Sequence, residues 1–131
     1  MSKSVSDFKK KVINDDKNII AIDFDGVIHK NSKGFHDGTI YDGLVDNTVE
    51  ALEFLSQHYE LVIYTCKANP DRPLVNGKTG KQLIKEWLIE KKIDHFFNDI
   101  YYEKPNAKFY IDDKAITFKS WEIVINKLKK H

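Results

Sequence analysis

The amino-acid sequence predicts an α/β fold: a doubly wound, Rossmann-like parallel sheet with helices on both faces and no separate cap domain. Short apolar segments of strand character alternate with segments that carry apolar residues at helical spacing, a pattern typical of parallel strands joined by helical crossovers. Polar residues follow the apolar segments directly, and a parallel sheet brings such strand ends to one edge. With 131 residues the chain has room for one domain, residues 1–131, and not for a second core of similar size.

Seven secondary-structure elements are predicted in the order β-α-β-α-β-β-α. Short apolar runs bounded by polar or turn residues predict four strands, at Ile19–Phe24, Leu61–Tyr64, Ile100–Tyr102 and Phe109–Ile111. Apolar residues three and four apart predict three helices, at Asn47–Gln57, at Lys81–Lys91 and in a closing segment whose apolar face includes Trp121, Val124, Ile125 and Leu128. Because Asn47 and Glu50 have the spacing of a capping box, we expect Asn47 to cap the first helix.

Three further segments lie outside this alternation. Residues 1–18 carry apolar residues at helical spacing and predict an N-terminal helical extension before the first strand. Residues 27–44 are polar and punctuated by glycine, which is typical of a long loop or a small flap. Residues 67–80 contain two prolines and two glycines and are predicted to form a loop that contacts substrate.

Two carboxylates stand at the end of the first predicted strand. Asp23 and Asp25 directly follow the apolar run from Ile19 to Ile22, two residues apart. Residues two apart on a strand point the same way, so both carboxylates crowd one small volume and their repulsion must be offset by a cation. Mg²⁺ and a phosphate group are the ligands this arrangement predicts.

The remaining strand ends carry polar residues as well. Four segments result: Asp23-Phe24-Asp25-Gly26-Val27, Ile63-Tyr64-Thr65, Glu103-Lys104-Pro105 and Tyr110-Ile111-Asp112-Asp113-Lys114. With these segments in this order, the chain resembles the haloacid dehalogenase superfamily of phosphohydrolases, as a small capless member, from about Ile19 to Ile116. The resemblance implies a phosphatase that hydrolyses phosphomonoesters.

The resemblance also implies catalytic roles for the residues at the strand ends. It makes Asp23 the nucleophile that forms an aspartyl-phosphate, and Asp25 the acid that protonates the leaving oxygen and later activates water. A carboxylate attacks phosphate only when the charge of the phosphate is offset, which Mg²⁺ and Lys104 would do together. Asp23, the main-chain carbonyl of Asp25 and either Asp113 or Asp112 are the expected Mg²⁺ ligands. The sequence leaves the choice between Asp112 and Asp113 open, with Asp112 alternatively orienting Lys104.

Substrate binding is expected around the second motif. Thr65 and main-chain N–H groups near Asp25 and Gly26 would hold the phosphoryl oxygens. Cys66 and Lys67 follow Thr65 directly, and the loop of residues 67–80 is the candidate for binding further anionic groups of the substrate through Lys67, Arg72 and Lys78. Neither gap between motifs is long enough for a cap domain, so the site should be open. For a capless phosphatase of this kind, the expected substrate is a nucleotide, a polynucleotide end or a sugar phosphate.

Two other functions use similar residues. Cys66 and Arg72 have the Cys-x5-Arg spacing of cysteine-dependent phosphatases, although Pro70 and Asp71 between them are poorly suited to wrapping an anion. A receiver-like signalling protein also clusters acids, a threonine and a lysine around Mg²⁺, but in that class the lysine lies on the last strand, whereas here Lys104 precedes Asp112. The five histidines lack ligand spacing; His29 and His36 flank the predicted flap and are candidates for substrate contact.

Composition excludes several classes of protein. The chain has 21 basic and 20 acidic residues, a formal charge of +1, and therefore no global field that would favour nucleic-acid binding. Cys66 is the single cysteine, which fits a reducing compartment such as the cytoplasm and precludes an intrachain disulfide. No segment has the length and apolarity of a signal peptide or membrane span, so no membrane association is expected. The charge, the cysteine content and the hydropathy of the chain are all compatible with an oligomer.

Overall fold

The structure is a computed structural model that describes residues 18–34, 38–112 and 116–129. The predicted N-terminal helical extension lies almost wholly outside the described residues, as do His36 of the flap and Asp113 of the fourth motif.

Five parallel strands form one sheet in the order β3-β2-β1-β4-β5 within the described part of the chain. The strands are β1 Ile19–Asp23, β2 Glu60–Tyr64, β3 Phe97–Tyr101, β4 Phe109–Asp112 and β5 Ile116–Thr117. The helices are α1 Thr48–Ser56, α2 Gly80–Glu90 and α3 Trp121–Lys129, with short 3-10 turns at Cys66–Ala68 and Asp94–Phe96. This architecture confirms the predicted α/β class with a parallel, Rossmann-like sheet. The two-residue strand β5 was not predicted.

The central strands are buried on both faces. In β1 the consecutive residues Ile20, Ala21 and Ile22 are fully buried, and in β2 the residues 61–63 are buried in the same way. Because successive side chains of a strand point to opposite faces, three buried residues in a row require cover on both sides of the sheet. This is why these strands are near-continuous apolar runs rather than alternating ones.

Two tryptophans fasten the segment that follows β1 to the helices. The Trp121 indole of α3 donates a hydrogen bond of 3.1 Å to the carbonyl of Val27, and the Trp87 indole of α2 donates one of 3.1 Å to the carbonyl of Asp42. Both indoles are almost fully buried. Each therefore satisfies a backbone carbonyl in the interior while it fills the core.

The predicted flap begins and ends as an antiparallel pair. The N–H of Lys30 donates to the carbonyl of Gly43, and the N–H of Val45 donates to the carbonyl of Ile28, both at 2.9 Å. Gly26, with a φ of 85°, lets the chain turn sharply between β1 and this pair. The two arms at the base of the segment from residue 27 to residue 44 are thus joined to each other.

The predicted cap at Asn47 is wrong. Asn47 has a left-handed conformation with a φ of 67°, and its side chain makes no capping hydrogen bond. The capping box lies instead at α2, where the Thr79 hydroxyl accepts from the N–H of Gln82 and the Gln82 side chain accepts from the N–H of Thr79. Thr79 has the extended backbone that a capping side chain needs, and Asn47 does not.

Two local features were not anticipated. Strand β3 begins at Phe97, three residues before the predicted start, because it is an edge strand whose exposed positions carry polar residues such as Asn98 and Asp99. Within the loop of residues 67–80, Val75 and Lys78 exchange two backbone hydrogen bonds around Asn76 and Gly77. Both of these turn residues have positive φ, as a type I′ hairpin requires.

No helix among the described residues has the length and apolarity needed to cross a membrane.

The contact between α2 and the turn after β2 leads to a stability prediction. A Cβ atom added at Gly80 would lie 1.7 Å from the carbonyl oxygen of Lys67, whereas one added at Gly43 would meet nothing within 4 Å. We expect Gly80→Ala to lower the free energy of unfolding by about 1–3 kcal/mol, since the clash is with backbone. Gly43→Ala is the control and should change it by less than about 1 kcal/mol. Urea unfolding compares the two, and equal stability of both variants would contradict the described packing.

Candidate active site

The carboxyl ends of β1 and β4 place two aspartates side by side. Asp23 ends β1 and Asp112 ends β4, one residue beyond the paired positions Ile22 and Ile111. The chain proceeds from β1 through β2 to β3 on one side and then returns to β4 on the other, so these two strands form the switch point of the sheet. In open parallel sheets this crevice is where ligands bind.

Asp112 is buried and is held by a lysine and a tyrosine. Only 5% of Asp112 is exposed, and its Oδ2 lies 3.3 Å from the Nζ of Lys104 and accepts a hydrogen bond from the Tyr64 hydroxyl. A carboxylate so deep in the protein needs a positive partner to offset its desolvation. The contact corresponds to one of the two alternatives for Asp112, that of orienting Lys104.

Tyr110 positions the loop that carries this lysine. Its hydroxyl donates to the carbonyl of Pro105 at 2.6 Å and accepts from the N–H of Ala107 at 3.1 Å. The Lys104 Nζ also lies 4.5 Å from the centre of the Tyr110 ring, a cation–π distance. Lys104 therefore reaches back to the sheet edge, with its side chain 40% exposed on the side open to solvent.

Asp25 lies between a histidine and a lysine. The Nδ1 of His29 is 2.8 Å from Asp25 Oδ1, and the Nζ of Lys67 is 2.8 Å from Asp25 Oδ2. His29 has no solvent exposure, and its Nε2 accepts a hydrogen bond of 3.0 Å from the N–H of Asp42. Because Nε2 is the acceptor, the neutral ring carries its proton on Nδ1 and donates it to Asp25.

These contacts set the charge of Asp25. Partial burial raises the pKa of the carboxyl, but the hydrogen bonds from His29 and Lys67, together with the positive charge of Lys67, outweigh it and leave the pKa below the usual value. Asp25 is thus a carboxylate at neutral pH in this arrangement. As such it is a proton acceptor, and it becomes a proton donor only when the local charge changes.

Asp23 and the backbone after it have defined hydrogen bonds. Asp23 Oδ1 accepts from the N–H of Phe24 at 2.7 Å, which fixes the orientation of the half-buried carboxylate. The N–H of Gly26 donates to the carbonyl of His29 at 2.7 Å, so it is already used. The N–H of Asp25 has no acceptor among the described residues. Of the N–H groups of Asp25 and Gly26, that of Asp25 is therefore the one available to a phosphoryl oxygen.

Thr65 lies on the neighbouring strand end. Asp23 pairs with Tyr64 in the sheet, so Thr65 follows one residue beyond this pair, and it is 6% exposed. Its backbone N–H donates to the carbonyl of Tyr101, and its hydroxyl oxygen accepts from the N–H of Lys67 at 3.2 Å. The hydroxyl proton is therefore directed elsewhere and can be donated to an oxygen of a ligand.

Cys66 and Arg72 are neighbours, as their spacing required. The Nη1 of Arg72 lies 3.8 Å from the Sγ of Cys66, which is exposed. The backbone between them, however, does not form a cradle for an anion. The N–H groups of Lys67, Ala68, Asn69, Asp71 and Arg72 all donate to oxygens of residues 65, 66 and 69, and Pro70 has none. A thiolate-based phosphatase needs such N–H groups to face the phosphate.

Two carboxylates at the strand ends are the candidate magnesium ligands among the described residues. Within residues 18–34, 38–112 and 116–129, no three His, Cys, Asp or Glu side chains cluster as a metal cage, and the predicted ligand Asp113 lies outside them. Mg²⁺ usually retains several waters and takes one or two carboxylates. Asp23 and Asp112, at the ends of adjacent strands, are a donor set of this kind.

Sequence reasoning missed three members of this site. His29 was expected to be at the surface or satisfied, with substrate contact as a further possibility; it is satisfied, but by Asp25 itself. Tyr64 and Tyr110 had no assigned role, although they hold Asp112 and the Lys104 loop. The usable signal for His29 was its position four residues after Asp25 across a glycine turn.

The lowered pKa of Asp25 predicts how stability depends on pH. A carboxyl whose folded pKa lies below the unfolded value of about 3.9 stabilises the fold above that value, and this contribution is lost as the pH falls through the folded pKa. The free energy of unfolding of the wild type should therefore exceed that of Asp25→Asn at neutral pH, and this difference should shrink between about pH 4 and the folded pKa. Urea unfolding of both proteins from pH 7 to pH 2.5 measures this. A difference that does not change with pH would contradict the assignment.

The Nδ1–H donated by His29 leads to a second prediction. His29→Gln removes the donor at the δ position, so the pKa of Asp25 should rise, as measured by a ¹³C NMR titration of the carboxyl carbon. His29→Asn retains an N–H donor near that position and should raise the pKa less. His58→Gln, in the exposed turn after α1, is the control for a histidine that has no carboxylate contact among the described residues. Equal pKa values in all the variants would show that His29 does not act on Asp25.

Comparisons of the chain with protein-family models, with curated protein sequences and with solved structures each found no match. The chemistry proposed for the site therefore rests on its own carboxylates, lysines and backbone groups.

Proposed function

We propose that this chain is a Mg²⁺-dependent phosphatase of the haloacid dehalogenase type that hydrolyses phosphomonoesters through an aspartyl-phosphate on Asp23. One observation carries the proposal: Asp23, Asp25, Thr65 and the Lys104–Asp112 pair meet at one edge of a parallel sheet, although they come from four separate segments of the chain. Two acids, a hydroxyl and a lysine around a crevice are the groups that phosphoryl transfer through a carboxylate needs.

In the first step, an oxygen of Asp23 attacks phosphorus. A new oxygen–phosphorus bond forms, the bond from phosphorus to the ester oxygen breaks, and Asp25 gives a proton to the departing oxygen. Asp25 must first take up this proton from solvent, because it is a carboxylate when paired with Lys67. An arriving phosphate supplies the reason: its negative charge raises the pKa of Asp25 and competes for Lys67.

In the second step, the aspartyl-phosphate is hydrolysed. Asp25, now a carboxylate again, accepts a proton from a water molecule that attacks phosphorus, and phosphate leaves with regeneration of Asp23. The hydrogen bond from His29 Nδ1 keeps the Asp25 side chain in place during both proton transfers. Asp25 needs to change only its charge, not its position.

The remaining groups bind the phosphoryl oxygens. Lys104 supplies positive charge, and the Thr65 hydroxyl and the N–H of Asp25 supply hydrogen bonds. Asp23, the main-chain carbonyl of Asp25 and one of Asp112 and Asp113 would hold Mg²⁺, which when bound offsets the charge of the phosphate. Gly26 contributes its turn rather than its N–H group.

The same geometry favours this mechanism over a cysteine-dependent one. Cys66 lies beside Arg72, but the N–H groups that would have to face a phosphate are hydrogen-bonded within the turn. The substrate is proposed to be a phosphorylated small molecule or polymer end, a nucleotide or a sugar phosphate. The proposed location is the cytoplasm, in keeping with a single unpaired cysteine.

Removal of the nucleophile tests the proposal. Asp23→Asn keeps the shape of the side chain but should lower phosphate release by roughly 10⁴-fold or more, the scale expected for a catalytic nucleophile. Phosphate release is measured with an aryl phosphate, nucleotides and sugar phosphates, with Mg²⁺ or EDTA, and circular dichroism checks the fold. Asp94→Asn, in the exposed 3-10 turn at the amino end of β3, is the control and should remain fully active.

Other outcomes would overturn the proposal in distinct ways. Activity that survives EDTA but is lost on alkylation of Cys66 would indicate the cysteine mechanism. Stable phosphorylation of Asp23 by a small phosphodonor, without turnover of any substrate, would indicate a receiver-like role.

A further inference from the structure

A cavity of about 230 Å³ lies between the end of the flap and the loop that follows β2. Lys67 lines this cavity and is also the ion-pair partner of Asp25. This lysine therefore links the cavity to the proposed acid. We call this space the Arg72 cavity, after the second cation in its wall.

The charged groups of the Arg72 cavity are both positive. Among the described residues that line it, Lys67 and Arg72 are the charged ones, and no acidic side chain is present. Arg72 is half-buried, and no carboxylate of the described residues lies within ion-pair distance of its guanidinium. The guanidinium donates a hydrogen bond to Cys66 Sγ. A partly desolvated guanidinium that faces a cavity without a carboxylate is suited to an anionic ligand group.

The rest of the wall is apolar. Ile40 contributes from the flap, Leu83 from α2, and Pro73, Leu74 and Val75 from the loop. Leu74 is 61% exposed, although the Asn76-Gly77 hairpin holds its segment in a defined conformation. An apolar wall with a few polar groups is typical of a site for a ring-containing ligand, which would also cover this leucine.

We propose that the Arg72 cavity is the leaving-group site of the phosphatase proposed above, and that it takes a nucleotide carrying a second phosphate besides the one removed. The base lies against the apolar wall, and the second phosphate binds Arg72. This inference rests on the proposed function for its catalytic part, but binding to the cavity does not require turnover. The second phosphate belongs either to a free nucleoside bisphosphate or to the next linkage of a polynucleotide end.

The first experiment measures binding without turnover. Asp23→Asn protein with Mg²⁺ is titrated by calorimetry with adenosine 3′,5′-bisphosphate and with adenosine 5′-monophosphate. The bisphosphate should bind more tightly, and Arg72→Gln in the same background should weaken it by about 10- to 100-fold, as expected for a charge-assisted hydrogen bond. The affinity for the monophosphate should change by less than about threefold, and Arg72→Lys should restore part of the loss.

Lys78→Gln provides the matched control. Lys78 lies in the same loop and carries the same charge, but its Nζ pairs with Glu86 at 2.8 Å and it does not line the cavity. It should leave the affinity for the bisphosphate unchanged. Equal effects of Arg72→Gln and Lys78→Gln would show only a general influence of charge and would overturn the assignment of the second phosphate to Arg72.

The second experiment measures turnover by the wild type. The bisphosphate, the monophosphate, ribose 5-phosphate and a 5′-phosphorylated dinucleotide are compared by kcat/KM. Preference for the bisphosphate over the dinucleotide supports a free nucleotide, and the reverse preference supports a polynucleotide end. Equal kcat/KM for the bisphosphate, the monophosphate and ribose 5-phosphate would overturn the inference.

The two proposals fail in different ways. Hydrolysis that depends on Asp23 but shows no preference for a second phosphate leaves the proposed function in place and removes the role of the cavity. Tight, Arg72-dependent binding of the bisphosphate without hydrolysis of any substrate leaves the cavity as a binding site and removes the proposed function.

Discussion

The pairing of β1 between β2 and β4 is the constraint on which the rest of the molecule depends. The main chain of this strand is hydrogen-bonded to both neighbouring strands. The side chains of residues 20–22 are apolar and fully buried, so they place no polar side chain in the interior. Asp23 and Asp25 come at the point where this burial ends. The order of the strands then brings Thr65 and Asp112 to the same edge, although both are far from β1 in the sequence.

Concentrating carboxylates at one edge creates an electrostatic problem that the structure solves with two separate lysines. Lys67 pairs with Asp25 and Lys104 pairs with Asp112, so each of these two acids has a positive partner. The two pairs differ in depth, since Asp112 is almost wholly buried whereas the Asp25 side chain is 25% exposed. The lysines differ in the opposite sense, since the Lys67 side chain is 11% exposed and that of Lys104 is 40% exposed. In the deeper pair it is therefore the lysine, and not the carboxylate, that faces solvent.

The fold class was predictable from sequence because burial on both faces leaves a strong mark: continuous apolar runs such as Ile19–Ile22, each followed by polar residues. Failures occurred where a weaker local signal competed with tertiary contacts. The spacing at Asn47 suited a cap, but its backbone is left-handed there, and the polar residues of β3 concealed an edge strand. At the site, the motif residues that the structure describes lie at one edge of the sheet, as the strand pattern predicted. Tyr64 and Tyr110, by contrast, act through tertiary contacts that no spacing reveals. The assigned catalytic roles remain predictions.

Under the proposed function, the hairpin at Asn76 and Gly77 would separate selectivity from chemistry. It closes with its own two backbone hydrogen bonds, so the apolar residues before it do not depend on the strand ends for their conformation. Exchange of the exposed Leu74 is therefore expected to leave Asp23, Asp25 and Lys104 in place. In evolutionary terms, the proposed role makes the loop a module on which substrate range would diverge while the proposed reacting groups are retained, and in engineering terms it is the place to begin a library.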